Sequence, residues 1–321
     1  MSHALVFSIA CLGLNLLFGT TGLLSFGHAT YFGAGAYTGA FLYRFFGVTS
    51  FEVYLVSGVV FSTILAAAIG YLCVQVTRIY FAILTLAFAM VVYSLFIDGA
   101  IFRLFGGVGW ALYLLTGGAL YIPRLTMLGT EFGPEEFIPV FYFVIVGAFL
   151  GSVFLLLRIS RSPFGGALRA IRNNETRATF IGIPVRRYRW YAFILSGLFV
   201  GLAGGLYGQL ARQITPEQLH WLFSAKLILA TVLGGMQQCA GPVLGAFAFI
   251  GVDELSTSWA VGRNFAFGIL LILIVLAFPK GIAGGFMFVI EIVSKFRKSQ
   301  GHDASYREDQ TATSISQDTD S

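Results

Sequence analysis

Few side chains of this sequence have the types and spacing that acid–base, nucleophilic or metal chemistry requires. The four histidines are too scattered to form a metal site: His3, His28, His220 and His302. The three cysteines lie in apolar stretches, without metal-ligand spacing or a disulfide framework: Cys11, Cys73 and Cys239. No glycine-rich loop leads into a lysine followed by serine or threonine, so the sequence carries no P-loop for ATP.

Ser25 and His28 are the pair that comes nearest to a nucleophile and its base, as in an intramembrane hydrolase. Such groups usually converge from separate elements and need a third, orienting group, which this sequence does not show. Ionisable groups for a proton-coupled or sodium-coupled carrier are also scarce, because nearly all charges fall at the ends of apolar runs. For the exceptions an interfacial position is the simpler interpretation: His28, Lys226, Asp253 and Glu254.

The composition is that of a membrane protein. Hydrophobic residues make up 57% of the 321 positions and charged residues only 11%, against roughly 25% in a soluble domain. One soluble core of this size could not cover so much apolar surface. We therefore predict an all-α fold, a polytopic membrane helix bundle of about eight transmembrane helices with glycine-rich breaks.

Uncharged runs long enough to cross the hydrocarbon give the framework. They cover residues 1–43, 53–77, 79–97, 137–157, 190–211, 227–252 and 264–279, and a short apolar segment follows at 281–290. The first run holds two crossings, or one crossing and a re-entrant element, with a break between Gly19 and Gly27. The run 227–252 has to cross twice, which predicts a tight hairpin at 234–242.

Arginines set the orientation of the bundle. Eight arginines and one acid lie in 158–189, so the positive-inside rule makes this loop cytoplasmic. The turn 44–52 and the segment 98–136, with two arginines and four acids, are then outside. Such clustering indicates membrane topology rather than nucleic-acid binding. Residues 1–298 form the predicted membrane domain, and the polar residues 299–321 are predicted to be a disordered cytoplasmic tail.

Glycines at four-residue spacing predict closely packed helices. A continuous stripe in the run 190–211 carries this pattern: Gly197, Gly201, Gly204, Gly205 and Gly208. Small residues let helix backbones approach where lipid gives no hydrophobic driving force. The stripe fits a transporter, a channel or an enzyme equally well.

The cytoplasmic loop holds a short amphipathic helix. Ser162 and Pro163 suit the N-cap and the first helical position. One face of the helix is apolar at spacing i, i+3, i+4 and i+7: Phe164, Ala167, Leu168 and Ile171. Arg169 and Arg172 lie on other faces, and a second short turn follows at 175–181. Such a helix either enters a groove of a soluble partner or lies on an anionic membrane surface.

The loop 162–183 resembles the cytoplasmic signature of LivM-type permeases, the membrane subunits of branched-chain amino acid ABC importers. Further blocks resemble that family in the same order: 15–28, 33–37, 192–204, 234–246 and 278–281. The resemblance covers roughly residues 10–290. The sequence departs from the family pattern at Gly165-Gly166, at 237–239 and around 106–110, which leaves the cargo open.

The resemblance implies a permease that is a transport subunit, not an enzyme, and holds no cofactor. ATP and Mg²⁺ would bind two partner ATP-binding subunits. The other expected partners are a second homologous permease, an extracytoplasmic substrate-binding protein and membrane lipid, in the cytoplasmic (inner) membrane of a bacterium or archaeon. The resemblance makes 163–172 a coupling helix, with Phe164, Leu168 and Ile171 as apolar anchors in an ATP-binding subunit. The full expected coupling set is Ser162, Pro163, Phe164, Ala167, Leu168, Arg169, Ile171, Arg172 and Glu175.

Irregular, polar-tolerant backbone predicts the lining of the translocation path: Ser25, Gly27, His28, Gly234, Gly235, Gly241 and Pro242. The expected cargo is a branched-chain or related amino acid, and the second interpretation is the same type of permease for urea or short amides. Two further hypotheses are an intramembrane enzyme and a stand-alone secondary carrier. The carrier would need buried ionisable groups or an inverted internal repeat, and the sequence shows neither.

Overall fold

The part of the chain that the structure describes folds into a bundle of α-helices with one short strand pair. The computed structural model describes residues 1–76, 78–97, 119–122, 126, 134–238, 240–257, 268–269, 272, 276 and 281–284. The helices are α1 (Ser2–Thr21), α2 (His28–Phe46), α3 (Phe51–Cys73), α4 (Arg78–Ile97), α5 (Pro134–Arg161), α6 (Pro163–Asn173), α7 (Glu175–Phe180), α8 (Val185–Ala211), α9 (Trp221–Gly234) and α10 (Gly241–Thr257). The strands β1 (Leu120–Tyr121) and β2 (Gln213–Ile214) pair antiparallel, and a 3₁₀ turn follows at Pro216–Leu219.

Among the described residues, five helices are long and apolar enough to cross a membrane: α1, α3, α4, α5 and α8. The protein is therefore an all-α, multi-pass membrane protein, as its composition predicts. The expected break in the first run is present, because α1 ends at Thr21 and α2 begins at His28. The expected hairpin is present too, between α9 and α10. The span predicted at 264–279 lies mostly outside the described residues, and the predicted tail 299–321 lies wholly outside them.

The bundle has two distinct ends. At one end, here called the strand end, Leu120 pairs with Ile214, and Ser50 forms a bridge with Thr126. The other end, here called the arginine-rich end, carries α6, α7 and the first turn of α8. Segments that the charge pattern places outside thus meet at one end, opposite the arginine-rich loop.

α8 runs through the centre of the bundle and touches α1, α2 and α3. Its glycine stripe makes these contacts close. A Cβ on Gly204 would overlap the carbonyl oxygen of Phe32 in α2, and one on Gly201 would overlap Ser62 of α3. Van der Waals contact between backbones replaces the hydrophobic driving force that lipid does not supply. The stripe is therefore a packing surface for two neighbouring helices.

Gly204→Ala tests this packing. The methyl group has no space against the Phe32 backbone, so we expect the free energy of unfolding to fall by about 2 kcal/mol. Gly147→Ala in α5 is the matched control, because nothing lies within 4 Å of a Cβ there. Thermal unfolding of both variants in the same detergent measures the difference. A Gly204→Ala variant as stable as Gly147→Ala would contradict the close contact.

Candidate functional site

The arginine-rich end is built on two short helices whose starts are fixed by side-chain caps. The Ser162 hydroxyl accepts a hydrogen bond from the Gly165 amide at 3.4 Å, and Pro163 takes the first helical position of α6. Asn174 ends α6 and caps α7, since its side-chain oxygen accepts from the Arg177 amide at 2.9 Å. The predicted N-cap and the predicted second turn are both observed.

The apolar face of α6 points into this chain. Leu168 and Ile171 are both 0% exposed and belong to the main core cluster. Phe164 is half-buried and stacks on Tyr188 of α8, with ring centroids 5.5 Å apart. Leu168 and Ile171 are therefore packed within this chain, and the role of the three side chains as anchors in an ATP-binding subunit stays a prediction. An amphipathic pattern shows that a face is covered but not what covers it, and here the bundle itself covers it.

The polar residues expected at the rim of a partner's groove also have partners within the chain. Glu175 forms a two-pronged ion pair with Arg189 of α8, with N–O distances of 2.8 and 2.7 Å. The Arg189 side chain is only 5% exposed, so α7 is fixed to the start of α8 by a partly desolvated pair. Arg169 is exposed and donates to the Ser160 carbonyl at 2.6 Å.

Arg172 connects α6 to the end of α1. Its guanidinium donates to the Gly19 carbonyl, and its aliphatic stem covers Gly22, which closes α1 in the left-handed conformation with φ 73°. A Cβ on Gly19 would lie only 2.6 Å from the carbonyl oxygen of Met236, in the turn between α9 and α10. The end of α1 is thus held between α6 and the hairpin.

In the hairpin, the backbones of α9 and α10 contact each other directly. A Cβ on Gly234 would overlap the carbonyl of Gly241, and one on Gly245 would overlap the carbonyl of Ala230. Gly281, with φ 77°, lies against Gly235. Three segments therefore meet at the arginine-rich end without side chains between them.

The break 22–27 is irregular backbone inside the bundle, and side-chain hydroxyls satisfy amides within it and at the start of α2. Thr85 of α4 accepts from the Phe26 amide at 3.3 Å, and Ser224 of α9 accepts from the Ala29 amide at 2.7 Å. The Gly27 amide donates to Ser25 at 3.3 Å. Such partners are required because hydrocarbon offers none.

His28 connects the break to α8 and, through Ser196, to α1. Its Nε2 lies 2.7 Å from the Ser196 hydroxyl of α8, and its Nδ1 lies 3.0 Å from Ser25. Ser196 donates its proton to the Gly13 carbonyl of α1 at 2.6 Å, so its oxygen has to accept from His28. This assigns the imidazole proton to Nε2 and makes Ser25 the donor to Nδ1. His28 is thereby saturated with structural hydrogen bonds.

The seven residues predicted to line a path are all buried in this conformation: Ser25, Gly27, His28, Gly234, Gly235, Gly241 and Pro242. They form two groups with different neighbours. The first group is held by α4, α8 and α9, and the second lies at the end of α1. Their role in a translocation path stays a prediction. Among the described residues no cluster of histidine, cysteine and carboxylate side chains could hold a metal ion.

Two exposed apolar side chains stand out at the arginine-rich end, and helical periodicity does not single them out. Phe180 is 85% exposed and Ile181 is 72% exposed, at the end of α7. The nearby Ala178 of the same helix is buried. The sequence holds a weak signal for the pair, because large apolar residues are unusual next to the stop at Gly182 and Pro184 in a charged loop.

Comparison with known proteins gives the same family as the sequence blocks. A family model described as "Branched-chain amino acid transport system / permease component" matches residues 1–278. The chain is 28% identical to the high-affinity branched-chain amino acid transport permease LivM of Escherichia coli, over 87% of this chain and 68% of that one. It is 27% identical to the probable permease LivH of Methanocaldococcus jannaschii, over 86% and 88%, and 26% identical to BraD of Pseudomonas aeruginosa, over 87% and 91%. No solved structure matches the chain.

Ser196→Ala tests the structural role of His28. The substitution leaves the buried Nε2 proton without an acceptor, which costs about 1–3 kcal/mol of unfolding free energy. Ser8→Ala is the control, because Ser8 is equally buried but bonds only the Ala4 carbonyl of its own helix. Unfolding of both variants by heat in detergent compares them. Equal stability of the two variants would mean that the hydrogen bond between His28 and Ser196 contributes nothing to the free energy of unfolding.

Proposed function

Because the chain belongs to the family of permease components of branched-chain amino acid transport systems, we propose that it forms the translocation path of an ATP-driven importer for branched-chain or related amino acids. The family match over residues 1–278 is the observation that carries the proposal. The chain is a transport subunit and not an enzyme. ATP and Mg²⁺ would be held by partner subunits, since the sequence has no P-loop.

The proposed complex contains a second, homologous permease, two ATP-binding subunits and an extracytoplasmic substrate-binding protein. The proposed location is the cytoplasmic membrane of a bacterium or archaeon. The arginine-rich end faces the cytoplasm in this arrangement, by the positive-inside rule. The strand end then faces the binding protein.

The surface proposed for the ATP-binding subunit is the outer side of α6 and α7. Leu168 and Ile171 are used within the bundle, so Phe180 and Ile181 take the place of the apolar anchors. Exposed arginines of α6, α7 and the start of α8 would supply a polar rim: Arg169, Arg177, Arg186 and Arg187. A central apolar anchor with a charged rim is the usual anatomy of a protein interface.

The fixed contacts of α6 and α7 would carry movement of the ATP-binding subunit into the bundle. The Glu175–Arg189 ion pair links α7 to α8, and Arg172 links α6 to the end of α1. The end of α1 in turn touches the hairpin turn at Met236. A displacement of the helix pair would thus reach α1, α8 and the hairpin together.

The complex and its cargo are tested in one preparation. The tagged chain, purified from its native membrane in mild detergent, should bring down two ATP-binding subunits, a second permease and the binding protein. Calorimetry on that binding protein with leucine, isoleucine and valine, against urea and acetamide, then distinguishes the two cargo classes. Recovery of the chain alone would overturn the importer, and binding of urea or acetamide only would overturn the amino acid.

Phe180→Asp combined with Ile181→Asp tests the docking surface. We expect the ATP-binding subunits to be lost from the purified complex by at least about tenfold, because buried apolar anchors carry most of the energy of an interface. Thr176→Asp is the control, since it adds charge to the same loop at an exposed position. Quantitative mass spectrometry of the co-purified subunits gives the ratio. Normal recovery with the double variant would place the contact elsewhere.

Arg172→Gln tests the connection between α6 and α1. The variant loses the charged hydrogen bond to the Gly19 carbonyl but keeps the apolar face of α6 in the core. We expect normal assembly and ATP hydrolysis, with a drop of about tenfold in the uptake of radiolabelled leucine by proteoliposomes, the size of effect that loss of a charged hydrogen bond gives. Arg44→Gln should leave uptake unchanged, because Arg44 is exposed in the last turn of α2 and belongs to neither α1 nor α6. Full uptake by Arg172→Gln would remove this residue from the coupling route.

A further inference from the structure

An open recess of about 500 Å³ lies at the arginine-rich end of α5. Its lining combines two apolar side chains with two arginines and a serine: Phe154, Leu157, Arg158, Arg161 and Ser162. Neither arginine pairs with a carboxylate in the part of the chain that the structure describes. The proposed function gives this recess no role.

The recess continues an exposed apolar stripe on α5. Phe143, Leu150 and Phe154 are 72%, 59% and 63% exposed, and they follow one face of the helix at spacings of seven and four residues. Arg158 and Arg161 extend the same face by one and two turns. α5 is a membrane-spanning helix by length and composition, so the stripe contacts hydrocarbon and the arginines lie at its cytoplasmic boundary.

Along this face an apolar stripe leads to a pair of cations, which matches the acyl chain and the phosphate of a phospholipid. Phe154 and Arg158 are one helical turn apart, a rise of about 6 Å, so apolar and cationic surfaces follow each other directly. An acyl chain along the stripe would bring a phosphate to the two guanidinium groups, which bind phosphate oxygens through forked hydrogen bonds. A soluble protein would reach the arginines but not the part of the stripe inside the hydrocarbon.

We propose that this recess binds an anionic phospholipid of the cytoplasmic leaflet. The phosphate contacts Arg158 and Arg161, and an acyl chain lies along the apolar stripe that ends at Phe154. The chemistry selects for net negative charge on the headgroup, because both cations lack a carboxylate partner among the described residues. A zwitterionic phospholipid carries a positive group next to its phosphate and would be disfavoured. The site lies on a single helix and its following cap, so this chain supplies all of its lining.

Native mass spectrometry of the purified protein, with its associated subunits, tests the site. The probes are dioleoylphosphatidylglycerol and, for comparison, dioleoylphosphatidylcholine. Arg158→Gln combined with Arg161→Gln should weaken binding of the first phosphatidylglycerol about thirty-fold, because each basic side chain near an anionic surface contributes roughly a factor of five. Binding of phosphatidylcholine should not change.

Arg186→Gln combined with Arg187→Gln is the matched control, since it removes two exposed arginines from the same end of the bundle. This control should bind phosphatidylglycerol as the unmodified protein does. Equal weakening by both double variants would mean a diffuse charge effect and would overturn the site. Loss of an ATP-binding subunit with unchanged lipid binding would also overturn it, and would make the recess a protein contact.

Discussion

Backbone amides inside a membrane need partners from the protein, and this requirement organises the centre of the bundle. The break between α1 and α2 exposes several amides at depth. A hydroxyl group of α4 accepts from the Phe26 amide in the break, and one of α9 accepts from the Ala29 amide at the start of α2. His28 connects the same segment to α8 and α1 through Ser196. Each of these helices has to lie where its hydroxyl reaches the break. The irregular segment therefore fixes the relative positions of the regular ones.

The helix pair α6 and α7 follows a different rule, because it lies at the arginine-rich end and not in a membrane-spanning helix. Burial of Leu168 and Ile171 holds α6 on the bundle without a partner, and the Glu175–Arg189 pair holds α7. A helix that is already packed transmits a push as a rigid body, whereas a helix ordered only by its partner would first have to fold. The large apolar side chains that stay exposed at the tip of α7 are consequently Phe180 and Ile181.

The sequence predicted the architecture well, because the signals involved are local. Apolar length predicted the spans, Ser162 and Pro163 predicted the start of α6, and the glycines at 234–242 predicted the hairpin. Periodicity also found the apolar face of α6, but it could not say that the bundle covers that face. The sequence could not predict the hydrogen-bond partners of His28 either, since Ser196 is 168 residues away and resembles any small residue in an apolar run. Contacts between distant segments depend on helix rotation, which the pattern does not encode.

The burial of all seven predicted path residues bears on how transport would work. Their side chains and backbones fill close contacts within one chain, and His28 has no free nitrogen to offer a solute. A solute could reach Ser25, Gly27 and His28 only after the helices around them separate, which would break the hydrogen bonds that satisfy the break. A path along an outer face of the chain avoids that cost. A face shared with a second permease meets this condition, which supports the proposed two-permease arrangement over conduction by a single chain.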